Sequence, residues 1–193
     1  MLKQVKVEVT ARHIHLSRKD LDKLFGKGFE LSFFKDLSQP GQFASNEKVS
    51  IVSKDGRIDN VRILGPVRSE SQIEISQTDA RFLKISAPLR LSGDLDGSSP
   101  IKLIGPNGFV DLEKGVIVSK RHFHCTPETS MELNLKNGDI VKVKVGEDGL
   151  RGLIFDNIEV RISDKFSDAI HIDTDEGNAC SIGGICSIGE ILN

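Results

Sequence analysis

Arg12-His13-Ile14-His15-Leu16-Ser17 returns in the second half of the chain as Arg121-His122-Phe123-His124-Cys125-Thr126. A strand-like run precedes each copy: Val5 to Thr10, alternating apolar and polar, before the first and Val116 to Ser119 before the second. Each copy ends on a hydroxyl residue of the type that caps a helix. Ser17 opens a short helical stretch to Phe25, with Asp20 three residues on as a variant of the capping box. Thr126 opens another to Leu133, with Pro127 at the first helical position and Glu128 in the first turn.

The self-similarity continues downstream. Asp59-Asn60-Val61-Arg62-Ile63 resembles Asp156-Asn157-Ile158-Glu159-Val160-Arg161-Ile162. Fifteen residues beyond Asp59 lies Glu74, and fifteen beyond Asp156 lies His171, each between two isoleucines. Glu74 and His171 are therefore equivalent positions in two tandem repeats, roughly 1–90 and 110–193. A Pro/Gly/Ser-rich stretch, Ser92 to Gly108, connects them. Further strands are expected at Val49 to Ser53 (with a hairpin turn at Lys54-Asp55-Gly56), Asn60 to Leu64, Gln72 to Ser76, Ile140 to Val145, Ile158 to Ile162 and Ala169 to Ile172. The fold class is mainly β, with short helices.

The repeat accounts for all five histidines. Each half offers a His-x-His pair and one later ligand: His13, His15 and Glu74, then His122, His124 and His171. Residues at i and i+2 on a strand face one side, so both imidazoles of a pair can converge on one ion. Three-ligand sets of the His₂Glu and His₃ kinds leave a coordination position open for water or substrate. One His-x-His alone would mean little; two at equivalent positions argue for metal. The competing reading is a structural repeat whose histidines bond backbone, and a Glu alternating with Ile in a strand is commonly solvent-facing.

Arg68 follows the Gly65-Pro66-Val67 turn and is read either as a phosphate clamp or as a surface charge. Arg12 and Arg121 are phosphate contacts, supports of the ligands, or solvated charges. Lys35, Arg62 and Arg81 are scattered cations, read either as contacts of a polyanionic cofactor or as ordinary surface charge. Gly183-Gly184 belongs to no phosphate or dinucleotide fingerprint, and no nucleophile elbow is present.

Bulk properties narrow the classes. The 193 residues are 38% hydrophobic and 28% charged, with a net charge of −2, so no basic field invites nucleic acid or an anionic membrane. No tryptophan or tyrosine is present to build an aromatic nucleic-acid platform. No apolar run reaches the length of a membrane span, and no signal peptide precedes the first strand, which argues for the cytoplasm. Cys125, Cys180 and Cys186, odd in number and without paired spacing, fit a reducing compartment and ordinary burial better than disulfides.

Val9-Thr10-Ala11-Arg12-His13-Ile14-His15-Leu16-Ser17 resembles the amino-terminal signature of the PduL-type phosphate propanoyltransferases. Gly65-Pro66-Val67-Arg68 through Gln72 to Ala80 resembles their central signature, and Arg121 to His124 with Asp173 to Asn178 resembles the remainder. The resemblance spans almost the whole chain. It implies that acyl-CoA (acetyl- or propanoyl-CoA) and phosphate are interconverted with acyl-phosphate and CoA, as in propanediol degradation. It implies two Zn²⁺ ions on the six ligands, forming a dinuclear site, with Arg68 catalytic. Lys35, Arg62, Leu64 and Asn178 would line the CoA site. The family suggests a homodimer.

The implied fold is two small β-barrels with short helical caps, one made of 1–11 with 120–193 and the other of 12–119, with the active site where they meet. Members destined for bacterial microcompartments often carry an amphipathic amino-terminal extension. This chain begins on its first strand, which argues against that targeting. Ser71 stands where the family often has Thr, and keeps the hydroxyl. The rival readings are a two-metal thioester or phosphoester hydrolase, a non-haem iron oxygenase built on His13, His15 and Glu74, and a metal-binding module without turnover.

Overall fold

A computed structural model describes residues 3–146, 151–182 and 186–192, without the side chains of Lys3 and Cys186. Gly183-Gly184 lies outside the described residues. The elements are, in order, β1 (Lys3–Thr10), β2 (His13–His15), α1 (Arg18–Phe25), β3 (Phe33–Asp36), β4 (Phe43–Val52), β5 (Arg57–Gly65), β6 (Gln72–Ile75), α2 (Gln77–Phe82), β7 (Leu89–Arg90), β8 (Ser99–Ile104) and β9 (Phe109–Ser119). There follow β10 (His122–Cys125), α3 (Pro127–Leu133), β11 (Ile140–Val145), β12 (Leu153–Ile162), β13 (Ala169–Asp173), α4 (Thr174–Ala179) and β14 (Cys186–Leu192). No described helix is long and apolar enough to cross a membrane.

The chain divides into two compact units. A terminal unit holds Met1–Ala11, Ser38–Pro40 and Lys120–Asn193, and a central unit holds Arg12–Leu37 and Gly41–Ser119. In the terminal unit six strands close a barrel in the order β1-β13-β10-β12-β11-β14. In the central unit the order is β3-β4-β5-β2-β6-β9-β7, and β8 pairs with both β4 and β9, which closes a second six-stranded ring. Alternation supplies both interiors: Val141, Val143 and Val145 of β11 and Ile101 and Leu103 of β8 are buried, while their neighbours reach outward.

Each unit is built the same way around its short His-x-His strand. β2 lies parallel to β5 and antiparallel to β6, and β10 lies parallel to β12 and antiparallel to β13. The strand before each His-x-His joins the other unit: β1 pairs parallel with β13, and β9 pairs parallel with β6. Ile14 and Phe123, each between two histidines, are fully buried in the two cores. Because side chains alternate across a strand, that burial aims both histidines of a pair at the opposite face.

The Asp-Asn dipeptides mark matching irregularities. Asn60 and Asn157 sit in the left-handed region, at φ 59° and 55°, where β5 and β12 slip register against their neighbours. Asn tolerates that conformation, and such bulges bend a strand toward barrel closure.

The expected strands all form, as do α1 and α3, capped by Ser17 and Thr126. Three features differ from the sequence reading. α2 and α4 were not expected, although Ser76 with Asp79 and Asp173 with Glu176 form complete capping boxes. The box at Ser17 is open: Ser17 N donates to Ser71 Oγ at 2.9 Å rather than to Asp20. The supposed connecting stretch contains β8, because Ile101 and Leu103 are needed to fill the core.

Candidate metal centres

Strand pairing decides where the ligands fall. In the central unit β2 and β6 run antiparallel with His13 opposite Glu74. In the terminal unit β10 and β13 place His122 opposite His171. His15 and His124, two residues on, share the face of their partners. Two groups of three potential ligands thus form among the described residues: His13, His15 and Glu74, and His122, His124 and His171. Within each group the ligand atoms all lie within 4.8 Å of one another.

In the central group His13 Nε2 lies 3.5 Å from Glu74 Oε1, and the two imidazoles stand edge to face, 5.0 Å between centroids. Burial, then the charge of His13 and of Arg68, holds the His15 imidazole well below its ordinary range. Burial pushes the Glu74 carboxyl up, but the charge and hydrogen bond of His13, helped by His15, outweigh it and leave the group well below the usual carboxylate range. A neutral imidazole and an ionised carboxylate are the forms that bind a metal ion. His15 Nδ1 is buried with no hydrogen-bond partner among the described residues. A buried polar atom without a partner is costly, and a metal bond would satisfy it.

Glu74 is firmly held. Gln72 Nε2 donates to its Oε1 at 2.6 Å, and Ser119 Oγ donates to its Oε2 at 3.0 Å. Gln72 is itself fixed by Gly93 N at 2.8 Å and by Ser92 Oγ at 2.9 Å. Ser92 Oγ also meets Arg68 Nη1 at 3.0 Å. Arg68, Ser92, Gln72 and Glu74 are thus one hydrogen-bonded chain. The half-buried Arg68 sits on the loop after β5, and its backbone N donates to Leu16 O at 2.9 Å. Gly65 opens that loop, and no side chain fits there, because a Cβ would lie 2.2 Å from the Phe43 ring.

The terminal group packs three imidazoles, with centroids 4.6 to 5.2 Å apart. His122 Nδ1 lies 2.9 Å from Lys120 O and donates to it, which makes Nε2 the potential ligand atom. His124 stacks on Phe166 at 4.1 Å. His171 is approached by Thr10 Oγ1 at 3.4 Å and, at 3.8 Å, by Glu8, which also bonds Lys6 and Ser38. The amide of Gln39 is pinned by Ser167, donating to its O at 3.0 Å and accepting from its N at 3.3 Å. Its Nε2 then lies 3.4 Å from His171 Nε2.

The remaining expected residues are more dispersed. Lys35, Ala44 and Leu64 occupy one row across β3, β4 and β5. Arg62, opposite His13, bonds Ser45 O and lies under the Phe34 ring, 4.5 Å from its centroid. Asn178 is an exposed residue of α4 in the terminal unit. Arg12, though exposed, pairs with the Asp79 carboxylate, and the partly buried Arg121 pairs with Glu176. Cys125 and Cys180 are buried thiols, and burial raises the pKa of Cys180.

Sequence reasoning missed Thr10, Ser119, Gln72 and Gln39. Repeat alignment could have found the first two, since each is a hydroxyl residue three positions before the first histidine of its pair.

A family model described as phosphate propanoyltransferase matches residues 6–183. A Thermotoga maritima protein of that name is 52% identical over 176 residues, 91% of this chain and 83% of its own length. A Clostridioides difficile protein so named is 49% identical with the same coverage. A third, from Rhodopseudomonas palustris, is 47% identical over 91% of this chain and 77% of its own.

Proposed function

Since the chain belongs to the phosphate propanoyltransferase family and is an acyltransferase, we propose that it moves an acyl group reversibly between CoA and inorganic phosphate, with a metal ion held by each ligand set. The observation that carries this reading is the pair of buried three-ligand groups, one of them wired to Arg68. Propanoyl-CoA is the favoured substrate, from the names of the relatives, and acetyl-CoA is a second.

His13, His15 and Glu74 would hold one ion and His122, His124 and His171 the other, and zinc fits both ligand sets. Bound there, such ions supply Lewis acidity toward carbonyl or phosphoryl oxygen. Arg68 binds phosphate through its guanidinium, whose planar fork matches two phosphate oxygens. Ser92 holds that guanidinium in place, so its orientation is set before substrate arrives. A phosphate oxygen attacks the thioester carbonyl, a C–O bond forms and the C–S bond breaks. The proton carried by phosphate ends on the CoA thiol. Arg68 stabilises negative charge as it develops on oxygen. In the central unit the cations Lys35 and Arg62, with Leu64, would contact CoA.

No protein nucleophile is needed, and the two described thiols are buried. The reaction therefore passes through a ternary complex. The test is phosphate-dependent release of CoA from propanoyl-CoA by metal-loaded protein, with about two metals per chain, one for each ligand set. Release that ignores phosphate would make the protein a hydrolase, and metal without release would make it a binding module.

A further inference from the structure

The arginine before each His-x-His closes the same ring of contacts in both units. In the central unit Arg12 reaches Asp79 twice, Nε to Oδ2 at 2.9 Å and Nη2 to Oδ1 at 2.7 Å. Asp79 is the third residue of α2, and its carboxylate also accepts from Ser76 N, the N-cap, at 3.4 Å. Ser76 stands two residues after Glu74. The chain thus runs from His13 through Arg12 to Asp79, back through Ser76 to Glu74, and across the strand pair to His13.

The terminal unit repeats the ring. Arg121 Nη1 lies 3.0 Å from Glu176 Oε1, while Glu176 Oε2 accepts from Asp173 N at 3.1 Å. Asp173 caps α4 two residues after His171, which faces His122. Asp79 and Glu176 differ in length, yet each is the third residue of a complete capping box and each receives the arginine of the opposing strand.

We infer that Arg12 and Arg121 are positioning residues, each clamping the strand of the third ligand against the strand of the two histidines in its own centre. An ordinary surface ion pair contributes little. These pairs differ, because their acidic partners are already fixed by helix caps, and Asp79 is buried. The arginine therefore ties two preorganised ends together, and its loss lets the antiparallel pair open at the ligands. This inference rests on the reading of both groups as metal sites.

The test separates the centres. The substitution His171→Ala leaves the central set intact, and Glu74→Ala leaves the terminal set. In the His171→Ala chain, Arg12→Gln lowers zinc affinity by about 10- to 100-fold, the range for losing an outer support of a ligand. In the Glu74→Ala chain the same change leaves affinity unaltered. Arg121→Gln shows the reverse pattern. Arg12→Lys, which keeps charge but not the two-point contact, recovers only part of the loss and serves if the Gln variant folds poorly. Affinity is read by chelator competition, and folding by circular dichroism. Equal losses in both backgrounds, or none in either, would overturn the inference. Absence of zinc binding by both parent chains would overturn the metal reading and the clamp together.

Discussion

Ser71 Oγ donates to Asp20 Oδ2 at 2.6 Å, and the same contact recurs in the terminal unit with its chemistry exchanged, where Thr129 Oγ1 donates to Asp168 Oδ2 at 2.5 Å. In the central unit the helix carries the carboxylate and the loop the hydroxyl. In the terminal unit the helix carries the hydroxyl and the loop the carboxylate. The helix N-cap N–H donates to the loop side chain in both, from Ser17 to Ser71 at 2.9 Å and from Thr126 to Asp168 at 2.7 Å. One hydroxyl and one carboxylate are what the corner requires, whichever element provides each. In the central unit the contact anchors the far end of the loop that carries Arg68.

The exchange can be made by hand. Ser71→Asp alone sets a second carboxylate beside Asp20 and costs roughly 1–3 kcal/mol, and Asp20→Thr alone, which replaces the charged acceptor of Ser71 with a neutral hydroxyl, costs roughly 1 kcal/mol. Together they rebuild the terminal-unit arrangement, and the double variant recovers most of the loss. A double-mutant cycle from denaturant unfolding measures the coupling, expected within about 0.5–3 kcal/mol for groups in contact. Additive losses would show that the two corners are not interchangeable.

Ser119→Ala removes the donor to Glu74 Oε2 without creating a large void. The expected outcome is a folded protein whose central set binds metal about 10- to 100-fold more weakly, with the terminal set unchanged. Thr10→Val does the same at His171, by a smaller factor, because the 3.4 Å contact is longer. Metal titration of each variant decides.

Arg68→Ala keeps both metals, because no ligand is touched. It lowers kcat/KM by about 10²- to 10³-fold, as loss of a charge-stabilising donor does. Elemental analysis alongside initial rates checks this. Metal loss in the variant would make Arg68 a structural residue acting through Ser92 and Gln72.

Gln39→Leu keeps volume but leaves Ser167 O and N without their amide partners. Ser167 is only half-buried, so water takes up part of the loss and the cost is about 1 kcal/mol. The thermal midpoint falls, and the cobalt-substituted protein changes its visible spectrum, because the amide beside His171 is gone. An unchanged cobalt spectrum would restrict Gln39 to tying down the Ser38–Pro40 segment.

Cys125 and Cys180 resist alkylation by iodoacetamide in the folded protein and react once it is unfolded, since both are buried, and burial further disfavours the reactive thiolate of Cys180. Peptide mass spectrometry reads both. Modification of Cys125 by an acyl-CoA in the native state would replace the ternary complex with a covalent route.

How much could be read in advance depended on the range of the interaction. The paired Arg-His-x-His segments, the six potential ligands and the caps at Ser17 and Thr126 were legible in the sequence, because strand alternation and helix capping act within a few residues. The repeat made Glu74 equivalent to His171 before either was placed in space. α2 and α4 were overlooked although their capping boxes are written in the sequence, since six-residue helices carry too few apolar positions to show a period. Only the tertiary structure decided the partners of the arginines. Arg12 meets Asp79 and Arg121 meets Glu176 through strand pairing between distant segments, and an isolated arginine reads the same whether it faces phosphate, water or a carboxylate. The supports of the ligands were hidden for that reason too. Ser119, Thr10 and Gln39 reach Glu74 and His171 only because strands and a turn far apart in sequence are neighbours in the two barrels, and proximity of that kind leaves no local pattern.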